Sequence, residues 1–321
     1  MSKKLWQPSL IVKKNSNLFA FENYISKKLK IKFNRNYKKL LNWSIKNSPE
    51  FWSRFWDFSK IKGFKSNKNF RKSKTFYKNL FLPGSRLNFG ENLLSKNNNE
   101  KAVTFISENG FREERSWRQL NLNTNKITKF LKKINIKKGD RVAAYMPNTI
   151  ETVEAFIATT SLGGIWSSCS PDFGSKGVIE RFSQINPKVL FITDQYFYNG
   201  KKIDILNRLP EILKLIPSIK SVVISNYPGK KFIKNKYKFK KINLFKWNEL
   251  MQTNTEKIDF KRFDFETELA ILYSSGTTGK PKCICHRSGG VLIQHMKEHQ
   301  LHCNIKENDN VFYFTTCGWM M

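Results

Sequence analysis

Residues 269–286 read Leu269-Ala270-Ile271-Leu272-Tyr273-Ser274-Ser275-Gly276-Thr277-Thr278-Gly279-Lys280-Pro281-Lys282-Cys283-Ile284-Cys285-His286. A short apolar run leads into a loop of small, hydroxylated and basic residues, and an alternating apolar run follows, so the stretch predicts strand, loop, strand. Gly276 and Gly279 permit backbone conformations that turn successive N–H groups toward one point. Ser274, Ser275, Thr277 and Thr278 add neutral donors, and Lys280 and Lys282 add positive charge. That chemistry suits a polyphosphate. It is not the common P-loop, which needs Lys then Ser/Thr opening a helix. Here Pro281 follows Lys280 and a strand pattern resumes, so no helix dipole contributes. A plain Gly/Ser/Thr hairpin loop is the competing reading. The length of the string Tyr273–Lys282, and its place between two strands, favour the phosphate reading.

Moving outward, strand candidates alternate with helices. The strands are Arg141–Met146, Gly164–Cys169, Lys188–Thr193, Ser221–Ser225, Leu269–Tyr273, Lys282–His286 and Val311–Thr315. Such alternation predicts an α/β fold, a layered and mostly parallel sheet covered on both faces. Ala102–Ser107 and Phe111–Trp117 flank Asn109-Gly110, a hairpin signal, and an amphipathic helix runs from Leu120 to Lys133. Nearer the start, Ser48 and Pro49 read as cap and first turn of a helix. Phe51, Trp52, Phe55 and Trp56 share one face of it, as a packing stripe does. Residues 60–79 read as a basic surface excursion, and spacing alone gives no account of Arg86–Leu94. These patterns divide the chain into a helical, aromatic region at 1–98 and an α/β domain at 99–321. The sequence stops just after a strand candidate and reads as truncated.

With 321 residues, the chain has room for about two domains. Lys and Arg number 58 against 25 Asp and Glu, a formal charge of +33, which raises nucleic acid as a partner. The lysines are spread along the whole chain, so a solvated basic surface that draws in anionic small molecules is the better reading. No specific nucleic-acid site is expected. The start lacks the apolar core of a signal peptide, and the most apolar window, Val153–Trp166, is too short for a bilayer. Five cysteines at unpaired spacings fit reduced thiols in a cytoplasm.

His295, His299 and His302 stand at i, i+4 and i+7 beside Cys303, a spacing zinc can use. No carboxylate sits at the catalytic offset, and a metal site is not expected. Cys283 and Cys285 fall on one strand face with His286 opposite, which reads as two small buried thiols. No Ser/His/Asp set or catalytic cysteine emerges. A reaction that activates a carboxylate with ATP needs none, because the carboxylate is itself the nucleophile.

Tyr273–Lys282 resembles the phosphate-loop signature of the acyl-adenylate-forming synthetases. Further segments resemble the acetoacetate–CoA ligase (acetoacetyl-CoA synthetase) branch of that superfamily: Leu5-Trp6-Gln7-Pro8, the aromatic helix at 51–58, Leu87–Leu94, Gly139–Asn148, Ile165–Gly174, Arg181-Phe182, Pro187–Leu190 and Thr315–Met321. The resemblance covers nearly the whole chain and implies the N-terminal part of an acid–thiol ligase. Its substrates would be acetoacetate, ATP with Mg2+, and coenzyme A, joined through acetoacetyl-AMP. Ser275, Gly276, Thr277, Thr278, Gly279, Lys280 and Lys282 fall on the ATP phosphate loop. Trp319 and Met320 match positions lining the acyl pocket, and Lys201 matches a basic contact to a CoA phosphate. The adenylation lysine is expected beyond Met321, so the 321 residues alone are expected to lack turnover. Alternatives are another short-chain ligase, such as an acetyl- or propionyl-CoA synthetase, and a basic nucleic-acid-binding protein. Nothing in the sequence bears on oligomeric state.

Overall fold

The computed structural model describes residues 5–231, 238–254, 258–274 and 279–320. The chain forms two compact units. One comprises Met1–Leu87, Asp264–Glu266 and Gly289–Tyr313; the other comprises Asn88–Phe263, Thr267–Ser288 and Phe314–Met321.

The second unit is built on a seven-stranded sheet. Its strands are β1 (Arg141–Tyr145), β2 (Ile165–Cys169), β3 (Val189–Thr193), β4 (Ser221–Ser225), β5 (Asn243–Lys246), β6 (Glu268–Ser274) and β7 (Lys282–Arg287). They lie in the order β5-β4-β3-β1-β2-β6-β7. Neighbours from β5 to β6 run parallel, and β7 returns antiparallel beside β6. Near-continuous burial along β2, β3 and β4 explains why their sequences are apolar or small throughout: both faces of a parallel strand are covered.

Helices Ser175–Ile185 and Leu209–Leu215 bring Phe182, Ile212 and Leu213 into one core with Tyr145, Leu190, Ile192 and Val222. On the opposite face an aromatic chain runs from Phe156 to Trp166, Phe191 and Trp247, with successive ring centroids 5.8, 6.4 and 6.0 Å apart. Each fully buried side chain of this size contributes about 1.5–3 kcal/mol.

The segment at 86–94 acquires a physical account. Asn88 is fully buried and caps the helix Phe89–Leu93 by accepting from the Glu91 N–H at 3.1 Å. Its amide also donates to the Ser161 and Lys261 carbonyls at 2.9 and 2.8 Å. Gly90 lets this short helix lie against Ile150–Ser161, since a Cβ there would stand 2.0 Å from Ser161 Oγ.

In the first unit, Phe21 from the helix Asn17–Leu29 meets the aromatic stripe of the helix Ser48–Phe58. Phe21 lies edge-on to Phe51, Phe55 and Phe58 at 5.6, 5.6 and 5.0 Å. The same helix begins against residues far along the chain. Asn17 N–H donates to Asn304 Oδ1 at 2.8 Å, and its amide donates to the Ile305 carbonyl at 3.0 Å.

Four expectations need correction. Val311–Thr315 is not a strand; Val311, Phe312, Tyr313 and Phe314 are exposed. An apolar run makes a strand only where a neighbour takes up its backbone groups. Cys283 and Cys285 are exposed, not buried, because β7 is the outermost strand of the sheet. Asn47, not Ser48, occupies the cap position of the aromatic helix; Ser48 and Pro49 lie within the first turn. The three histidines do not share one continuous α-helical face. A π turn at Glu298–His302, closed by Cys303 N–H to the Glu298 carbonyl at 2.8 Å, interrupts the register. His295 and His299 remain neighbours at 6.4 Å, while His302 turns toward Glu298, 3.8 Å away.

Candidate functional site

The β1 strand lies between β2, its successor, and β3, the strand after that. The chain order therefore reverses around β1, and a crevice outside the carboxyl ends of such strands is where open α/β sheets bind ligands. The loops leaving β1, β2, β3 and β6 at this edge contain most of the residues singled out from the sequence. Ser275, Gly276, Thr277 and Thr278 lie outside the described residues. Gly279, in the left-handed region at φ +107, and exposed Lys280 and Lys282 belong to the return into β7.

The stem of this loop is held firmly. Tyr273, the penultimate residue of β6, is buried, and its hydroxyl lies 3.0 Å from Ser167 Oγ, which donates to the Ile271 carbonyl at 2.8 Å. Burial pushes the Tyr273 phenol above its ordinary range, so it stays protonated. The Arg181 guanidinium, from Ser175–Ile185, lies over the Phe173 ring at 4.2 Å and over the Tyr273 ring at 5.8 Å. Gln184, one turn on, donates to the Pro281 carbonyl at 2.9 Å.

The Ser167-Ser168-Cys169-Ser170-Pro171-Asp172-Phe173 run is fixed at both ends. Ser168 Oγ accepts from the Trp166 indole at 3.1 Å, and Ser170 Oγ donates to Asp172 at 2.6 Å. Arg208 donates to the Pro171 and Phe173 carbonyls at 3.0 and 2.9 Å and also bonds the Tyr145 hydroxyl, which in turn donates to the Phe173 carbonyl.

Residues 315–320 lie over the same carboxyl ends. Asn148 donates to the Thr315 carbonyl at 2.5 Å, and the Cys317 thiol donates to the Met146 carbonyl at 2.6 Å. Burial pushes the Cys317 thiol up to about 12, with the Asp172 charge adding to the effect. Gly318 adopts φ +98, and a Cβ there would sit 2.2 Å from the Ser168 carbonyl oxygen, so only glycine fits. Trp319, exposed, and Met320, half-buried, follow directly.

Lys201 follows the tight turn Asn199-Gly200 in the hairpin Gln195–Tyr198/Lys201–Asp204, directly after β3. The Glu108 carboxylate accepts the Asn199 and Gly200 N–H groups at 2.6 and 3.2 Å and so fixes the turn that presents Lys201 to solvent. Sequence reasoning missed Arg208, Gln184, Asn148 and Glu108. Their partners lie between 35 and 167 residues away, and no local spacing announces them.

The profile of a family described as "AMP-binding enzyme" matches residues 92–321. The chain belongs to the AMP-binding enzyme family. Among relatives in this family, an acetoacetyl-CoA synthetase from Xenopus tropicalis is 38% identical over 333 residues, covering 100% of this chain and 48% of its own length. An acetoacetyl-coenzyme A synthetase from Rhizobium meliloti (strain 1021) is 37% identical over 99% of this chain and 48% of its own. The solved acetoacetyl-CoA synthetase from Streptomyces lividans superposes with a TM-score of 0.91 at 28% identity, over 99% of this chain and 48% of that one. The chain thus spans about half the length of the curated relatives it matches, and its α/β architecture is that of an AMP-binding enzyme. Among the described residues, no helix is long and apolar enough to cross a membrane.

Proposed function

We propose that this chain supplies the ATP and acyl-group face of an AMP-forming acid–thiol ligase acting on acetoacetate. The observation that carries the reading is that the Gly279-Lys280-Pro281-Lys282 loop end and the 315–320 segment both stand at the carboxyl ends of one parallel sheet, in a chain similar throughout to acetoacetyl-CoA synthetases. The acetoacetate carboxylate attacks the α-phosphorus of ATP, an O–P bond forms, and the bond to pyrophosphate breaks. The thiol of CoA then attacks the acyl carbon, loses its proton, and AMP leaves. The protein's part is positioning and charge neutralisation. Ser275, Gly276, Thr277, Thr278, Gly279, Lys280 and Lys282 would hold the β- and γ-phosphates, Trp319 and Met320 would border the acyl group, and Lys201 would meet a CoA phosphate.

Mg2+ would enter as part of the Mg-ATP substrate; among the described residues no group of three His, Cys, Asp or Glu side chains is placed to hold a metal of its own. All five cysteines are free, which fits a reducing cytoplasm. The test is calorimetric titration of the chain with ATP, with and without acetoacetate. Lys280→Ala and Lys282→Ala should each weaken ATP binding roughly ten- to a hundredfold, the worth of a hydrogen bond to a charged group. No measurable ATP affinity in the parent chain, or undiminished affinity in both variants, sinks the reading. Acetate and propionate run in parallel with acetoacetate test the acyl assignment.

A further inference from the structure

We propose that Arg181 and Gln184 are positioning residues: one face of the helix Ser175–Ile185 holds both stems of the loop between β6 and β7. The nucleotide arm of this inference rests on the phosphate reading of that loop. The geometry does not.

Arg181 and Gln184 stand three residues apart on that helix and so project from the same side. Arg181 reaches the entry stem. Its guanidinium lies over Tyr273 at 5.8 Å and Phe173 at 4.2 Å, while its Nη1 donates to the Gly177 carbonyl at 2.8 Å, which ties the side chain to its own helix. Gln184 reaches the exit stem. Its amide donates to the Pro281 carbonyl at 2.9 Å and to the Glu180 carbonyl, one turn back, at 2.8 Å. The second bond matters because Gln184 is exposed: a side chain already tied to its own helix loses little further freedom on gripping Pro281. In the sequence, Tyr273 and Pro281 bracket six of the seven residues assigned to phosphate, all but Lys282. Stems fixed beforehand leave Gly279 and Lys280 less conformational freedom to lose when a ligand binds. Neither side chain enters the crevice as a ligand group. Both act through the backbone and ring they hold.

The test is amide hydrogen exchange on the whole chain, with melting temperature and ATP affinity read on the same samples. In Arg181→Met/Gln184→Ala, exchange at Gly279, Lys280 and Lys282 is expected to rise about tenfold, with β1 and β3 amides and the melting temperature unchanged. Arg181→Lys alone, which keeps a cation over the rings, is expected to stay within about threefold of the parent. ATP affinity is expected to fall about tenfold in the double variant. Unchanged loop exchange overturns the inference, whatever happens to nucleotide binding. So does a rise spread equally over the sheet with a lowered melting temperature, which marks a merely structural role. Raised loop exchange in the double variant, with a parent chain that shows no ATP affinity, supports the latch and removes the phosphate reading instead.

Discussion

Glu154 offers the sharpest test of the electrostatics. Its side chain is fully buried on the helix Ile150–Ser161, where Oε1 accepts from the Asn123 amide at 2.8 Å and lies 3.5 Å from Arg115 Nε, while Oε2 has no partner. Glu151, 3.9 Å from the same guanidinium, and Glu113, 2.6 Å from it, crowd negative charge around one cation. Burial pushes the Glu154 carboxyl from an ordinary 4.5 to about 8, with Asn123 and Arg115 opposing and the two glutamates adding to the rise. The folded state therefore keeps its proton up to about pH 8, whereas the unfolded chain releases it near 4.5. Between those values the folded state binds more protons, so stability is full below pH 4.5 and falls as pH rises through 8. At about 1.36 kcal/mol for each pH step of one, the whole fall approaches 5 kcal/mol, and about 3–5 kcal/mol is a fair expectation for so buried a group. Glu154→Gln keeps an acceptor for Asn123 and cannot ionise. Urea unfolding followed by tryptophan fluorescence from pH 5 to pH 9 should show the parent losing stability where the variant loses much less. Some slope should survive in the variant, because burial raises Glu151 as well. Parallel curves for the two proteins would falsify this account of the cluster.

Three further substitutions follow from close contacts. Gly318→Ala sets a Cβ into the Ser168 carbonyl and strains a left-handed backbone, at about 1–3 kcal/mol. Residues 315–320 should lift, and Cys317 should react with a disulfide reagent at least tenfold faster; an unchanged rate would show that the segment is not seated by this contact. Gly90→Ala should cost about 1–3 kcal/mol in urea unfolding through overlap with Ser161. Gly90→Ala/Ser161→Gly should recover most of that loss, and a double variant no better than the single would rule out this overlap as the cause. Glu108→Ala removes the acceptor for two turn N–H groups, so exchange at Asn199 and Gly200 should rise about fivefold, matching about 1 kcal/mol; unaltered exchange there would show that the turn holds itself.

Period and turn chemistry made most of the architecture legible. The apolar runs at 141–146, 164–169, 188–193, 221–225 and 269–273 became parallel strands within a residue or so, and Asn109-Gly110 did turn a hairpin. Strand order was not legible, since pairing β6 with β2 joins segments about a hundred residues apart and no local signal encodes it. Val311–Thr315 failed for the same reason in reverse: its run of aromatic and β-branched residues was right for a strand, but a strand is a relation with a neighbour. The π turn was hidden too, because the spacing of His295, His299 and His302 fits an unbroken α register and no proline or glycine marks the break. At the site, residue types named the chemistry of the loop and of Lys201. The groups that hold those pieces in place, Arg208, Gln184 and Glu108, act across folds of the chain and carry no mark in their own surroundings.

The bonds from Asn17 to Asn304 and Ile305 tie the start of the helix Asn17–Leu29 to residues made nearly three hundred positions later. At about 5–20 residues per second, a ribosome needs on the order of tens of seconds to travel that stretch. Strands β1 to β5 of the second unit lie within one continuous stretch of chain and can assemble meanwhile. The aromatic helices of the first unit emerge before those strands and wait, with part of their closing surface unmade. In the order of synthesis, then, the helix Asn17–Leu29 is made long before the residues that complete its seat.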